Sequence, residues 1–191
     1  LSTAKIAREH VIPAILEADG ARLVAIGSRS IRKATELAEH FGAPQSYGSY
    51  EELLSSEEID AVYIPSPTSS HVKWSTKAAQ MGKHVLCEKP LALNASEIDN
   101  LIEIEEKNKV FISEAFMVAY HPQWHRVKKL IKDGSIGPLR HVQGAFTYFN
   151  KDPDNMRNQL ELGGGGLPDI GVYPIVTTRL TTLEEPHSVA A

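Results

Sequence analysis

The chain has 191 residues, of which 42% are hydrophobic and 23% charged, and its formal net charge is -4. This composition fits one large globular domain or one domain with part of another. The scattered basic residues give no reason to expect a nucleic acid partner, and no apolar run reaches the ~20 residues of a membrane span. The single cysteine, Cys87, excludes an intrachain disulfide and predicts a reducing, cytoplasmic location.

Short apolar strands alternate with helices over the first 120 residues. Strands are predicted at 22–27, 60–65 and 110–115, and the stretch 83–90 contains a further short β-type run that ends on an acid, a base and a proline. Helices are predicted to follow the N-caps Ser30, Ser49 and Asn94, and another begins near His71. This alternation is typical of a doubly wound parallel sheet of the Rossmann type.

The start of the chain departs from that pattern. A dinucleotide-binding unit opens with an apolar strand and a Gly-x-Gly-x-x-Gly turn, and the sequence contains neither at its start. We therefore expect this chain to be a fragment that lacks the first strand. Residues 4–18 are predicted to form the first helix, which Pro13 breaks or restarts.

The pattern changes again after residue 120. A helix is predicted from 121 to about 134, a long strand at 139–149, a helix from about 167 to 183, and the beginning of another strand at 187–189. We assign residues 1–120 to a dinucleotide-binding domain and residues 121–191 to the beginning of a second, incomplete domain.

Two short motifs carry side chains suited to chemistry. Glu88-Lys89-Pro90 ends a predicted strand, at the sheet edge where ligands bind in open parallel sheets. An ordinary solvated lysine in a loop is the alternative. Asp169 and Tyr173 stand four residues apart on a predicted helix and therefore share a face. A helix cap and a packed core tyrosine are the alternatives for this pair.

Glu88-Lys89-Pro90, followed by the stretch from Gly163 to Pro174, resembles the signature pair of the Gfo/Idh/MocA oxidoreductases. The resemblance covers essentially the whole chain. It implies an α/β fold in which a Rossmann-type doubly wound parallel sheet is followed by part of an α+β open-sheet domain. It also implies an NAD(P)-dependent oxidoreductase that acts on a sugar or polyol and forms a dimer or tetramer.

Within that family the chain is similar to the branch of glucose-fructose oxidoreductase, D-xylose dehydrogenase and dimeric dihydrodiol dehydrogenase. Tyr173 stands where inositol dehydrogenases have histidine. A tyrosine with a pKa near ~10 is a poor base, but a nearby ammonium favours the phenolate. The resemblance thus implies that Tyr173, activated by Lys89, removes a hydroxyl proton during hydride transfer, and that Asp169 orients the substrate or shares the proton.

The resemblance also implies cofactor contacts at four turns. These candidates are Ser2, Thr3 and Ala4; Ser28, Arg29 and Ser30; Pro65, Ser66, Thr68 and His71; and Glu88 and Lys89. Where NAD sites usually carry an acid, Ser28-Arg29-Ser30 offers hydroxyls and a guanidinium suited to a 2′-phosphate, so NADP is favoured and NAD is possible. Arg29 as plain surface charge and His71 as a cap or an exposed residue are the alternatives.

Other functions are weaker candidates. His121 and His125 have metal-like spacing, but neither an adjacent acid nor a third ligand accompanies them, so no metal site is predicted. A dinucleotide-binding sensor without turnover is the alternative of a different class. Trans-dihydrodiols are the alternative substrates. Lys89, Asp169 and Tyr173 together favour an enzyme.

Overall fold

The structure is a computed structural model that describes residues 1–190, and it divides into two compact units, Leu1–Ala115 and the part from Phe116 onward. The first unit alternates strands and helices. Its strands are β1 (Ala25–Gly27), β2 (Gln45–Tyr47), β3 (Ala61–Ile64), β4 (His84–Glu88) and β5 (Ile112–Ala115). Its helices are α1 (Ile12–Glu17), α2 (Ile31–Phe41), α3 (Tyr50–Leu54), α4 (His71–Gln80) and α5 (Ala95–Asn108).

All the strand pairs of the first unit are parallel. β1 pairs with β2, and β4 lies between β3 and β5, with Val62, Val85 and Ile112 in register. Val62 and Val85 are buried, together with Leu54, Ile64 and Cys87. Because the strands run the same way, their carboxyl ends lie at one edge of each sheet, and the candidate residues follow those ends.

The predicted N-caps hold the helix starts. Ser30 Oγ accepts from Lys33 N at 3.5 Å and Ser49 Oγ accepts from Glu52 N at 3.1 Å. Asn94 forms the predicted capping box with Glu97 at the start of α5. Each cap satisfies a backbone N–H that the helix itself leaves unpaired, so the three starts are fixed locally.

Pro13 does not end the first helix. A π-helical turn at Ala7–Val11 leads directly into α1, where Pro13 lies in the first turn. Val11, just before α1, has helical backbone angles, so the helix continues through this point. The change of helix type lies just before Pro13, and the chain stays helical past it.

A cavity of about 590 Å³ lies between β1 and β3. Two hydrogen bonds tie the start of the chain to the carboxyl ends of these strands. The Leu1 nitrogen donates to Tyr63 O at 2.6 Å, and Ser2 N donates to Gly27 O at 2.7 Å. Residues 1–4 therefore lie at the same strand ends as the other candidate turns of this unit. The strand predicted to precede them stays a prediction.

The second unit is built from helices and turns. It contains α6 (Pro122–Lys132) and α7 (Val172–Thr182), which contact each other, and a π-helical turn at Leu167–Gly171 that precedes α7. The helix predicted from 167 to 183 is thus present. The domain boundary predicted after residue 120 stays a prediction, since the division into compact units falls between Ala115 and Phe116. None of the helices in residues 1–190 has the length and apolarity that a membrane crossing requires.

The strands predicted at 139–149 and 187–189 are wrong for the described residues. Both segments lack strand structure, and Phe146 and Tyr148 in the first of them are 46% and 49% exposed. A β-strand needs a neighbour that takes up its backbone hydrogen bonds, and residues 116–190 contain no other strand that could pair with it. β-type composition alone did not produce a strand.

Candidate functional site

The first candidate turn, residues 2–4, lies at the start of the chain beside the carboxyl ends of β1 and β3. Ser2 has φ 86°, in the left-handed region that favours glycine. The helix that contains Ala7–Val11 begins just after Ala4, so backbone N–H groups of this turn lie at a helix N-terminus. Unpaired N–H groups at such an end attract phosphate. The Ser2 N–H is already bonded to Gly27 O, so only the N–H groups that follow it could meet a phosphate, and the cofactor contact of Ser2, Thr3 and Ala4 stays a prediction.

The second turn follows β1. Ser28 is buried, its N–H donates to Tyr47 O at 3.1 Å, and its Oγ accepts from Ser30 N at 3.3 Å. Arg29 between them is exposed. The two serines fix the turn while the Arg29 guanidinium stays accessible, an arrangement that suits a 2′-phosphate.

The third turn follows β3 and is almost closed to solvent. Pro65, Ser66 and Thr68 are buried, and Ser70 Oγ donates to Ser66 Oγ at 2.8 Å. His71 is 1% exposed, with Nε2 2.7 Å from Ser66 O and Nδ1 2.8 Å from Pro90 O. The exposed alternative for His71 is therefore wrong. Whether these residues contact a cofactor stays a prediction.

The fourth turn follows β4. Glu88 Oε1 accepts from the Tyr63 hydroxyl at 2.6 Å, and Glu114 Oε1 accepts from Leu91 N at 2.8 Å. Burial and the Glu88 carboxylate raise the pKa of Tyr63 above its ordinary range. Lys89 is half-buried and precedes Pro90 in a cis peptide bond. Two carboxylates on neighbouring strands thus hold the backbone and side chains around this turn.

In the second unit, Asp169 lies on the π-helical turn and its carboxylate joins two side chains. The Tyr148 hydroxyl donates to Oδ2, and Arg157 Nε donates to Oδ1 at 3.1 Å. The Asp169 carboxylate raises the pKa of Tyr148. The N-cap position of this π-helical turn is Gly166, and Asp169 lies three residues after it, in the first turn.

Tyr173 lies in the first turn of α7, between two aromatic rings. Its ring centroid is 5.2 Å from that of Phe116 and 5.1 Å from that of Phe146. Such tilted pairs fix the plane of a phenol ring. Tyr173 is thus oriented by packing within its own unit.

The glycine run explains how Arg157 reaches Asp169. Gly164 N donates to Gln159 O, and Gly165 N donates to Arg157 O, both at 2.9 Å. A Cβ on Gly164 would lie 2.6 Å from the carbonyl oxygens of Met156 and Arg157, so only glycine permits this approach. Within the run of four glycines, Gly164 thus supplies a close backbone approach.

Sequence reasoning missed three residues that bond to candidate residues, namely Tyr63, Tyr148 and Arg157. Strand alternation could have paired Tyr63 with Glu88, because Tyr63 is in register with Leu86, two residues before Glu88. Nothing local marked Tyr148 or Arg157, whose positions depend on contacts distant in sequence. His121 Nδ1 accepts from Gln123 N at 3.1 Å and caps α6, and residues 1–190 contain no cluster of three metal-ligating side chains.

Comparison with known proteins identifies both parts of the chain. Residues 3–116 match the model of the Gfo/Idh/MocA oxidoreductase family, NAD-binding Rossmann fold, and residues 124–191 match the Gfo/Idh/MocA C-terminal domain. An uncharacterized oxidoreductase from Rhizobium meliloti is 47% identical over 100% of this chain and 57% of its own length. D-xylose 1-dehydrogenase (NADP(+)) 2 from Haloferax volcanii is 39% identical over 94% of this chain and 55% of its own.

Solved structures of related enzymes also match most of this chain. A 3-ketoreductase from Actinomadura kijaniata, in complex with NADP and TDP-benzene, has a TM-score of 0.90 and 35% identity over 94% of this chain and 55% of its own. Two matching structures are variants of that enzyme, one with a tyrosine replaced by phenylalanine and one with a lysine replaced by alanine. The chain thus spans little more than half the length of the relatives it matches.

Proposed function

The chain belongs to the Gfo/Idh/MocA oxidoreductase family, and from this premise we propose that the protein transfers a hydride between a nicotinamide cofactor and a sugar or polyol. The observation that carries the proposal is the set of four turns at the strand ends of the first unit. They offer a turn before a helix N-terminus at residues 2–4, an exposed guanidinium at Arg29, and the Lys89 ammonium after β4. These groups match the charges of a dinucleotide and a reacting hydroxyl.

We propose NADP as the preferred cofactor. Ser28 and Ser30 bond to the turn itself, whereas the exposed Arg29 side chain has the charge and fork geometry that a 2′-phosphate requires. NADP in the 3-ketoreductase complex and NADP(+) in the name of the xylose dehydrogenase support this choice. NADP, when bound, supplies or accepts the hydride at its nicotinamide C4.

For proton transfer we propose Tyr173 as the group that takes the hydroxyl proton of the substrate. Lys89 would supply the positive charge that favours the phenolate. The lysine and the tyrosine replaced in the two variants of the 3-ketoreductase are as far apart in that sequence as Lys89 and Tyr173 are in this one, which supports the assignment.

Asp169 would orient the substrate. Tyr148 and Arg157 each bond to one of its oxygens, so the carboxylate is held on both sides and fixed in direction. A sugar substrate has several adjacent hydroxyls, and one of them would donate a hydrogen bond to the Asp169 carboxylate. The same arrangement serves oxidation of a hydroxyl and reduction of a carbonyl.

A fluorescence titration of the purified protein with NADPH and with NADH tests the cofactor proposal. We expect tighter binding of NADPH; equal affinity for the two would contradict the role given to Arg29. Adding D-xylose, D-glucose and a trans-dihydrodiol to the protein with oxidised cofactor tests turnover. Cofactor binding without turnover on this panel would favour the sensor over the enzyme.

Two further proposals concern the protein in its setting. We propose a homo-oligomer, a dimer or tetramer, which light scattering of the purified protein would test. A cytoplasmic location stays a prediction from the single cysteine, which is buried as a free thiol at Cys87.

A further inference from the structure

His71 joins two of the candidate turns. It begins α4, it is 1% exposed, and both of its ring nitrogens contact backbone carbonyl oxygens. Nε2 lies 2.7 Å from the oxygen of Ser66, after β3, and Nδ1 lies 2.8 Å from the oxygen of Pro90, after β4. One buried ring therefore spans the carboxyl ends of two neighbouring parallel strands.

The chemistry of these two contacts restricts the ring. A carbonyl oxygen accepts hydrogen bonds and cannot donate, and a neutral imidazole carries a single N–H. Both contacts are hydrogen bonds only when both ring nitrogens carry protons. With one proton, a nitrogen lone pair would face a carbonyl oxygen inside the protein, an arrangement that costs free energy.

We propose that His71 is a positioning residue that donates from both ring nitrogens and thereby fixes the turn of Lys89 against the turn of Ser66. The inference rests on the proposed function, in which the Lys89 ammonium favours the Tyr173 phenolate. His71 itself has no nitrogen left for a cofactor, so its effect passes through the backbone of Pro90, the residue after Lys89. A small displacement of a reacting group is enough to slow catalysis.

Ionisable groups lie on the elements that carry or adjoin the two turns. Glu88 and Lys89 lie at the end of β4, Glu114 on β5 bonds to Leu91 beside Pro90, Tyr63 on β3 bonds to Glu88, and Lys73 lies on α4.

Nitrogen NMR of the ring tests the proposal without any need for turnover. In ¹⁵N-labelled protein at about pH 7, two-bond nitrogen–proton spectra distinguish protonated from unprotonated ring nitrogens. We expect both His71 nitrogens to be protonated and both protons to exchange slowly with water. An unprotonated Nδ1 or Nε2 would overturn the proposal. If the protein turned over no sugar, the proposed function would fail while this measurement still decided the state of His71.

Kinetics of two variants test the positioning role. We expect His71→Leu, which donates nothing, to lower kcat by about 100-fold, and His71→Gln, whose amide donates two hydrogens, to recover part of that loss. Ala78→Gly is the matched control, because Ala78 is buried in α4, as His71 is, and its methyl side chain forms no hydrogen bond to either turn. It should lower the melting temperature and leave kcat unchanged. Equal kcat in the protein and in His71→Leu, or no difference between His71→Leu and His71→Gln, would contradict the role.

Discussion

In the first unit the candidate residues lie on turns at the carboxyl ends of parallel strands, whereas in the second unit Asp169 and Tyr173 lie on a π-helical turn and on α7. The turns of the first unit are tied by backbone and buried hydrogen bonds, such as those of Ser28 and His71. The two residues of the second unit are oriented by side chains. Hydrogen bonds to the backbone thus position the candidate residues of the first unit, and side-chain contacts position those of the second.

The two units also differ in how they bury apolar side chains. Among the described residues, every apolar side chain counted as buried belongs to Leu1–Ala115 except that of Phe116. Large side chains of the second unit stay exposed, among them Ile136 at 61% and Phe149 at 81%. The first unit therefore carries most of the hydrophobic stabilisation that this chain supplies.

The largest expected effect is on turnover, through the second unit. Tyr173→Phe should lower kcat by about 1000-fold, because it removes the proposed proton acceptor while the ring keeps its aromatic contacts. Cofactor affinity, which we assign to the first unit, should not change. Steady-state kinetics and an NADPH titration of the same variant check both statements. Unchanged turnover would show that Tyr173 only packs.

The next effect is on stability and separates the two units directly. Leu54 is 1% exposed in the core of the first unit, so Leu54→Ala should cost about 3 kcal/mol of unfolding free energy. Ile136→Ala, the matched truncation in the second unit, should cost less than about 1 kcal/mol. Urea unfolding measures both. Similar losses at the two positions would break the comparison, since Ile136 would then be buried in the folded protein.

A smaller effect concerns cofactor choice in the first unit. Arg29→Ala should weaken NADPH binding by about 10-fold to 100-fold, because a charged hydrogen bond to the 2′-phosphate is lost. NADH, which lacks that phosphate, should bind as before. Arg32→Ala is the control, because Arg32 is exposed and pairs with Glu36 at 2.6 Å. Parallel weakening of both cofactors would move the phosphate contact away from Arg29.

The smallest effect is a pH dependence that belongs to the first unit. Burial raises the pKa of Cys87 to about 12. The folded protein keeps the thiol proton that the unfolded chain releases above about pH 8.5, so stability should fall as pH rises from there. The slope approaches about 1.4 kcal/mol per pH unit below the folded pKa.

Urea unfolding at several pH values between about 8.5 and 10 measures that slope, and Cys87→Ala should flatten it. Tyr63, whose pKa is also raised, adds a loss of the same sign only above about pH 10, where the unfolded phenol ionises. A slope that survives in Cys87→Ala would assign the sensitivity to another group.

Local signals predicted the first unit well. Ser30, Ser49 and Asn94 cap their helices as their residue types and spacing indicate, because a cap needs only a few neighbouring residues. β2 was missed, since its three residues, Gln45–Tyr47, are too few and too polar to show a period.

The second unit shows where sequence reasoning stops. Residues 139–149 have β-type composition, yet a strand depends on a partner that no local pattern supplies. The bond between Arg157 and Asp169 depends on the close approach of Gly164 to the chain, which the sequence shows only as one glycine among four. The burial of His71 was likewise invisible, because it depends on turns after two different strands.

Four identical glycines in a row suggest that point mutations anywhere in the run should have equal consequences. The surroundings make them unequal: a Cβ placed on Gly164 would lie 2.6 Å from two carbonyl oxygens, whereas nothing lies within 4 Å of a Cβ placed on Gly166. Every single-base change of a glycine codon that gives another amino acid adds a Cβ. Selection for a folded protein should therefore reject alanine at Gly164 and accept it at Gly166. The repeat thus contains one position that must stay glycine during evolution and another that can change.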